Sequence, residues 1–124
     1  MVAQGKQNKF MLLNDKQFLF AESVAKLINY AVSIGFKVTF GEVYRPKETA
    51  TIYEKQGIGI KDSLHTKRLA VDLMLFRNGV YLKSSESYRS LGDFWESLST
   101  KDIKFRWGGR FSTRIDANHF EIAD

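Results

Sequence analysis

The chain of 124 residues has no cysteine, one proline and only two histidines. The absence of cysteine excludes disulfides, thiolate metal sites and cysteine nucleophiles, so any metal must be bound by histidine and carboxylate side chains. The longest apolar stretches, residues 18–21 and 69–76, are far shorter than the roughly 20 residues that span a bilayer, and we predict no transmembrane helix. Residues 1–10 are polar and lack the apolar core of a secretory signal, so we expect synthesis in the cytoplasm.

The composition is typical of one soluble domain. Hydrophobic residues make up 44% of the chain and charged residues 27%, which are values of a globular protein, and the length suits a single domain over residues 1–124. The net charge of +5 favours an acidic partner such as nucleic acid or an anionic cell wall. Charge alone does not choose between them, because the basic residues are scattered along the sequence.

The first half of the sequence predicts two helices around one strand. Apolar residues recur at spacings of three and four over residues 15–33, which predicts an amphipathic helix with Asp15 as its N-cap and Gly35 at its C-terminal end. Residues 36–43 are rich in β-branched and aromatic types and predict a strand. The only proline follows, and residues 47–56 are compatible with a second helix.

The second half predicts further strands and another helix. Residues 69–76 form an apolar run typical of a buried strand, and Asn78-Gly79 is a strong hairpin signal that returns the chain along residues 80–82. The tail contains residues 105–107, a Gly108-Gly109 turn and a final short strand predicted over residues 119–122. Between the hairpin and this tail lies an apolar stripe at helical spacing, formed by Tyr88, Leu91, Trp95 and Leu98. We therefore expect a small α+β domain with a central antiparallel sheet flanked by helices.

Asp72 is the one charged residue in the apolar run 69–76. Burying an unpaired carboxylate costs several kcal/mol or forces it to take up a proton, so Asp72 needs a partner. The period of two in a strand puts Asp72 on one face with Ala70, Met74 and Phe76. Another segment must bring the partner to that face, and a backbone N–H or an arginine would serve as well as a histidine.

His65 and His119 are the only histidines. Each taken alone suits an ordinary surface or core position. Together with Asp72 they form a set of two imidazoles and one carboxylate, which is a ligand set of catalytic zinc and leaves the fourth position open. Zinc in such a site lowers the pKa of bound water to about 7 and polarises a carbonyl, as amide hydrolysis requires.

Two further residues have types that would support such chemistry. Asp116 stands three residues before His119 and could act as a general base that later protonates the leaving amine; as a turn aspartate it would have a local structural role. Arg45 follows a predicted strand and could stabilise an oxyanion or pair with a substrate carboxylate, or remain an ordinary surface arginine.

Four ordered elements of the sequence resemble a family of zinc peptidases that cut bacterial cell-wall stem peptides. They are Tyr44-Arg45-Pro46, the stretch from Ser63 through His65 to Asp72 with Ala70 two residues before the aspartate, Trp107-Gly108-Gly109, and Asp116-x-x-His119-Phe120-Glu121. The family comprises D-alanyl-D-alanine carboxypeptidases, D,D-dipeptidases and the L-alanyl-D-glutamate endopeptidases of bacteriophage endolysins. The resemblance spans roughly residues 36–122 and implies a fold like that of Hedgehog and the D-Ala-D-Ala peptidases.

The resemblance implies a role for each motif residue. His65, Asp72 and His119 would bind zinc, and Asp116 would be the catalytic base. Arg45 would contact the substrate or its transition state. Ser63 would supply a hydroxyl beside the ligands or toward the substrate.

The aspartate base, the Trp-Gly-Gly turn and the short length resemble most the endolysin branch, which cuts between L-alanine and D-glutamate. The resemblance thus implies a monomer that acts on peptidoglycan stem peptides after a holin opens the membrane, with no nucleic-acid or membrane partner and no organic cofactor. D-Alanyl-D-alanine carboxypeptidase activity is the alternative. Two positions depart from the family pattern: Arg68 stands where glycine is common, and Ala50 where glutamine is frequent. We expect Arg68 to close or reshape one side of the cleft.

Two other function classes stay open. A metal-binding but catalytically silent relative of this fold would act as a wall-binding or protein-interaction module, against which the presence of Asp116 argues. A nucleic-acid-binding protein is suggested by the charge and by aromatic residues interleaved with arginines, as in base-stacking surfaces. Those residues are Phe105, Trp107 and Phe111 among Arg106, Arg110 and Arg114.

Overall fold

A computed structural model describes residues 11–60 and 63–124. Over these residues the helices are α1 (Leu13–Ser33), α2 (Lys47–Lys55) and α3 (Ser85–Ser97), and the strands are β1 (Lys37–Phe40), β2 (Ala70–Arg77), β3 (Val80–Leu82), β4 (Phe105–Trp107) and β5 (His119–Ile122). Short 3₁₀ turns cover Leu64–Lys67 and Gly108–Arg110. None of the helices described has the length and hydropathy needed to cross a membrane.

The five strands form one antiparallel sheet with β2 at its centre. The order is β1-β2-β5-β4, and β3 also pairs with β2. Asn78 and Gly79 both adopt positive φ angles, 52° and 78°, as a two-residue hairpin of type I′ requires. The predicted α+β class with a central antiparallel sheet is confirmed.

The core lies on one face of the sheet, under α1 and α3. Burial alternates along β2, so that Val71, Leu73 and Leu75 are at most 1% exposed while Asp72 is partly open. The α1 and α3 helices cover the buried face with residues such as Leu27 and Trp95. Asp72 therefore projects from the opposite face, which these two helices leave uncovered.

The β1 strand is shorter than the predicted 36–43, because it ends at a bulge opposite Asp72. The Gly41 N–H donates to the Asp72 carbonyl at 2.7 Å, and the Asp72 N–H donates to the Glu42 carbonyl at 2.9 Å. Gly41 and Glu42 thus both lie opposite Asp72, as in a β-bulge. A Cβ on Gly41 would lie 3.0 Å from Cβ of Asp72, so glycine permits this close approach.

Two local predictions differ from the structure or go beyond it. The α1 helix begins at Leu13, and Asp15 lies in its first turn without capping it; the carboxylate there still interacts favourably with the helix dipole. The predicted N-cap is therefore wrong. The extension of the domain over all of residues 1–124 stays a prediction, since residues 1–10 and 61–62 lie outside the described part of the chain.

Candidate metal centre

Asp72 finds its partner on the neighbouring strand. In the antiparallel pairing of β2 with β5, Asp72 lies opposite His119, and residues opposite each other project from the same face of a sheet. Nδ1 of His119 lies 3.3 Å from Oδ1 of Asp72. The α3 helix holds this strand in place, because the indole N–H of Trp95 donates to the Glu121 carbonyl at 2.9 Å.

His65 reaches the same carboxylate from the 3₁₀ turn Leu64–Lys67. Ser63 caps this turn, because its hydroxyl accepts a hydrogen bond from the His65 N–H at 3.2 Å, and the Arg45 N–H donates to the His65 carbonyl at 3.1 Å. Nε2 of His65 then lies 3.3 Å from Oδ1 of Asp72. One ligand atom from each of His65, Asp72 and His119 lies within 4.8 Å of the others.

The second nitrogen of each imidazole has its own hydrogen-bond acceptor. Nδ1 of His65 lies 3.3 Å from the Val43 carbonyl oxygen, and Nε2 of His119 lies 2.7 Å from Oε1 of Glu121. Such bonds fix the tautomer of metal-binding histidines and direct the other nitrogen at the ion. Two nitrogens and one carboxylate oxygen, oriented in this way, match the donor set of a catalytic zinc site.

The carboxylates of Asp72 and Glu121 favour a positive charge on the His119 imidazole, which lies between them. Burial raises the pKa of Asp72, but its hydrogen bonds to His119 and His65 and their charges outweigh burial and bring the pKa to about 2. Burial lowers the pKa of His119, whereas the Asp72 and Glu121 carboxylates raise it to about 9. Without a metal, His119 is therefore protonated at neutral pH. A divalent cation bound here must displace that proton.

Asp116 faces the same imidazole from a loop that is fixed at both ends. The Gly108 carbonyl accepts hydrogen bonds from the N–H groups of Phe111, at 3.2 Å, and Asp116, at 3.0 Å. A Cβ on Gly108 would overlap the Asp116 carbonyl. Oδ2 of Asp116 lies 3.9 Å from Nδ1 of His119, and the side chain is 52% exposed. Burial raises the pKa of Asp116, and the nearby Asp72 charge raises it further.

Arg45 lies at the edge of the cluster and is held from two sides. Its guanidinium bonds to Oε1 of Glu42 and lies over the Tyr53 ring, 5.2 Å from the ring centroid. The side chain is only 12% exposed. Arg45 is therefore more enclosed than an ordinary surface arginine, and its role in the site stays a prediction.

A cleft of about 750 Å³ opens over these groups. Besides the three possible ligands, its lining includes Arg45, Ser63 and Asp116, and its walls come from residues 58–60 and 111–115. The structure thus brings all six predicted site residues to one cavity, although their separate roles stay predictions.

Two carboxylates of the site have no role assigned from the sequence. Glu121 enters there only as part of a motif, yet its position two residues after His119 puts both side chains on one face of β5. A charged residue between the apolar residues Phe120 and Ile122 of a short predicted strand is the signal that could have found it. Glu42, with Oε1 3.9 Å from Nε2 of His65, gives no such signal, because the bulge that positions it is a tertiary feature.

Arg68 does not line the cleft, so the expectation that it closes one side is wrong, while the alternative, that it reshapes this side, stays a prediction. Its backbone has φ 58°, a left-handed conformation that glycine adopts at no steric cost. Its guanidinium stacks on Tyr44, 3.8 Å from the ring centroid, and lines a separate, largely apolar pocket with Phe20 and Val24. Ala50, the second position that departs from the family pattern, is fully buried.

The sequence profile of a family described as D-alanyl-D-alanine carboxypeptidase matches residues 57–122. The chain belongs to this D-alanyl-D-alanine carboxypeptidase family. The matched stretch includes His65, Asp72, Asp116 and His119. The family assignment expected from the motifs is confirmed, and the chain is a member of a peptidase family.

A solved relative has the same fold. The structure of the L-Ala D-Glu endopeptidase ChiX from Serratia marcescens superposes with a TM-score of 0.66 and 16% sequence identity, covering 98% of this chain and 96% of that one. This member of the D-alanyl-D-alanine carboxypeptidase family therefore shares its fold with an endopeptidase. A comparison with curated protein sequences gave no significant match.

Proposed function

We propose that the chain is a zinc-dependent peptidase that hydrolyses peptidoglycan stem peptides at the L-alanyl-D-glutamate bond. The observation that carries the proposal is the cluster of two imidazoles and one carboxylate beside the half-exposed Asp116, at the base of an open cleft. Membership of a peptidase family supports peptide hydrolysis. The fold shared with an L-Ala D-Glu endopeptidase favours this bond.

His65, Asp72 and His119 would hold the zinc ion. Bound there, zinc supplies Lewis-acid chemistry, which polarises the amide carbonyl and makes water a nucleophile at neutral pH. The hydrogen bonds from the imidazoles to the Val43 carbonyl and the Glu121 carboxylate keep both rings oriented through the reaction.

Asp116 is the proton carrier of this proposal. Its carboxylate takes a proton from the attacking water and transfers it to the departing amine nitrogen as the C–N bond breaks. Burial and the charge of Asp72 raise the pKa of this carboxyl toward neutral pH. A pKa nearer the working pH favours both proton transfers. The hydrogen bonds that fix the loop ends to the Gly108 carbonyl keep the carboxylate in position.

Arg45 stabilises charge on the carbonyl oxygen of the amide under attack. A guanidinium held in advance needs little reorganisation when negative charge develops. Glu42 and Tyr53 hold it in this way. Ser63 acts through His65, because its hydroxyl caps the turn that presents the imidazole.

D-Alanyl-D-alanine carboxypeptidase activity is the second candidate, and the description of the matching family favours it. A nucleic-acid-binding role is disfavoured, because Phe105 and Trp107 are at most 3% exposed and offer no surface for base stacking. Arg106 and Arg110 also pair with carboxylates of the chain.

We further propose the endolysin role that the resemblance implies. In this role a monomeric bacteriophage protein is made in the cytoplasm and reaches the wall after holin-type release. The net charge of +5 would assist its adsorption to an anionic wall.

Mass spectrometry of fragments released from purified peptidoglycan tests the proposal. The zinc-loaded chain should release peptides with a free N-terminal D-glutamate, and a zinc chelator or Asp116→Asn should abolish release. Loss of only a terminal D-alanine would establish the carboxypeptidase instead. No release by a chain that binds one zinc ion would mean that the site serves binding or acts on another peptide.

A further inference from the structure

Three arginines line the cleft: Arg45, Arg106 and Arg114. Two of them are engaged by carboxylates of the chain. Arg45 bonds to Glu42, and the Nε of Arg106 donates to Glu121 at 2.6 Å. Among residues 11–60 and 63–124, no carboxylate forms an ion pair with Arg114.

Arg114 has an exposed side chain on the loop that presents Asp116. Hydrogen bonds from Phe111 and Asp116 to the Gly108 carbonyl close this loop, so the backbone at Arg114 is anchored on both sides. Its φ of 52° is uncommon for a residue with a side chain. Strained backbone of this kind clusters at ligand-binding sites.

The cleft presents carboxylates that would repel an anionic substrate. Asp72 and Asp116 line it together with Glu121, whose charge Arg106 already offsets, and like charges at close range disfavour one another where water is partly excluded. A substrate with a carboxylate near the scissile bond therefore needs a cation that is not already neutralised. Arg114 is the cleft arginine that meets this condition among the described residues.

The proposed substrate carries such a carboxylate. A D-glutamyl residue has two carboxyl groups, and when the γ-carboxyl continues the peptide the α-carboxylate stays free, one carbon away from the amide nitrogen that leaves. We propose that Arg114 binds the free carboxylate of the residue that contributes the scissile nitrogen, which makes it a specificity-determining residue. This inference rests on the proposed function. It applies equally to a terminal D-alanine, whose carboxylate lies in the same place.

The test compares two peptides that differ only in this group. They are N-acetyl-L-alanyl-D-glutamine, whose α-carboxylate is free, and the same peptide with an α-carboxamide. Binding is followed by NMR titration of the metal-free full chain, so that neither hydrolysis nor a metal–carboxylate contact contributes. A charge-assisted hydrogen bond predicts at least about tenfold tighter binding of the carboxylate peptide.

Arg114→Gln should remove this preference, and Arg114→Lys should keep part of it. Arg110→Gln is the matched control, because Arg110 pairs with Asp93 and Glu96 and does not line the cleft; it should keep the full preference. Equal binding of both peptides by the unmodified chain, or an unchanged preference in Arg114→Gln, would overturn the inference.

Cleavage of the carboxylate peptide by the zinc-loaded chain separates this inference from the proposed function. A preference that depends on Arg114 without any cleavage would support carboxylate binding and contradict the endopeptidase. Cleavage with equal binding of the two peptides would support the endopeptidase and contradict the role of Arg114.

Discussion

Nε2 of His119 lies 2.7 Å from a carboxylate oxygen of Glu121, two residues further along the same strand. The other oxygen of Glu121 accepts from Arg106, and Nδ1 of His119 faces Asp72. Positive and negative groups thus alternate from Arg106 at the rim to Asp72 at the base of the cleft. This row fixes the ring of His119 and leaves Nδ1 for a metal.

Glu121→Gln should weaken zinc binding by about 10- to 100-fold, which is the usual effect of changing the group that supports a metal-binding histidine. The substitution keeps the size of the side chain but removes the charge that supports the imidazole. Competition with a chelating dye measures the change. Glu96→Gln, at a surface ion pair with Arg110, is the control and should bind zinc as tightly as the unmodified chain.

Asp116→Asn should lower kcat/KM by at least about 100-fold, because a general base contributes roughly 10² to 10⁴. Bound zinc should stay at one ion per chain, since three other residues would supply the ligands. Peptide cleavage assays and elemental analysis of the purified variant provide the two readouts. Asp102→Asn, an exposed aspartate elsewhere on the surface, should retain full activity. A near-normal rate in Asp116→Asn would remove the assigned base.

Gly108→Ala should destabilise the chain by about 1–3 kcal/mol, the usual cost of overpacking. The added methyl would overlap the Asp116 carbonyl and lie 3.0 Å from Cβ of His119, so activity should fall with stability. Chemical denaturation and cleavage assays measure both effects. Gly79→Ala has open space around it and a positive φ, so it should cost about 1 kcal/mol and spare activity. Equal behaviour of the two variants would refute the proposed steric cause.

The metal-free chain should lose stability as the pH rises from about 6.5 to 9. His119 has a pKa of about 9 in the folded chain and about 6.5 unfolded, so its charge stabilises the fold fully below 6.5 and progressively less up to 9. The difference between the two pKa values of His119 limits the loss to about 3 kcal/mol. The lowered pKa of Asp72 comes partly from the same contact with His119, so it is not counted as a separate contribution. Thermal unfolding in chelator across this range measures it.

His119→Gln is the control for this pH dependence. It removes the titrating imidazole, so the fall in Tm between pH 6.5 and 9 should become smaller than in the unmodified chain. An identical pH profile in both proteins would assign the effect to other groups. Saturating zinc should also suppress the fall, because the ion takes the place of the proton.

Periodicity and turn chemistry in the sequence are sufficient to predict most of the fold. The hairpin at Asn78-Gly79, the long first helix and the buried strand containing Asp72 are predicted within a few residues of their observed bounds. Their signals are local, since each depends on side chains close together in the chain. The bulge at Gly41 and the left-handed Arg68 are not predicted, because they depend on contacts with distant strands or on one backbone angle.

By itself, the sequence determined the residue types available for chemistry: two histidines, no cysteine, and aspartates at spacings that match a peptidase family. The tertiary structure decided which of them meet. The pairing of β2 with β5 brings Asp72 opposite His119, and a capped 3₁₀ turn adds His65. The structure also revealed the supporting carboxylate Glu121 and the separation of Arg68 from the cleft. Distances between residues some fifty positions apart follow from strand register and packing, which no local pattern encodes.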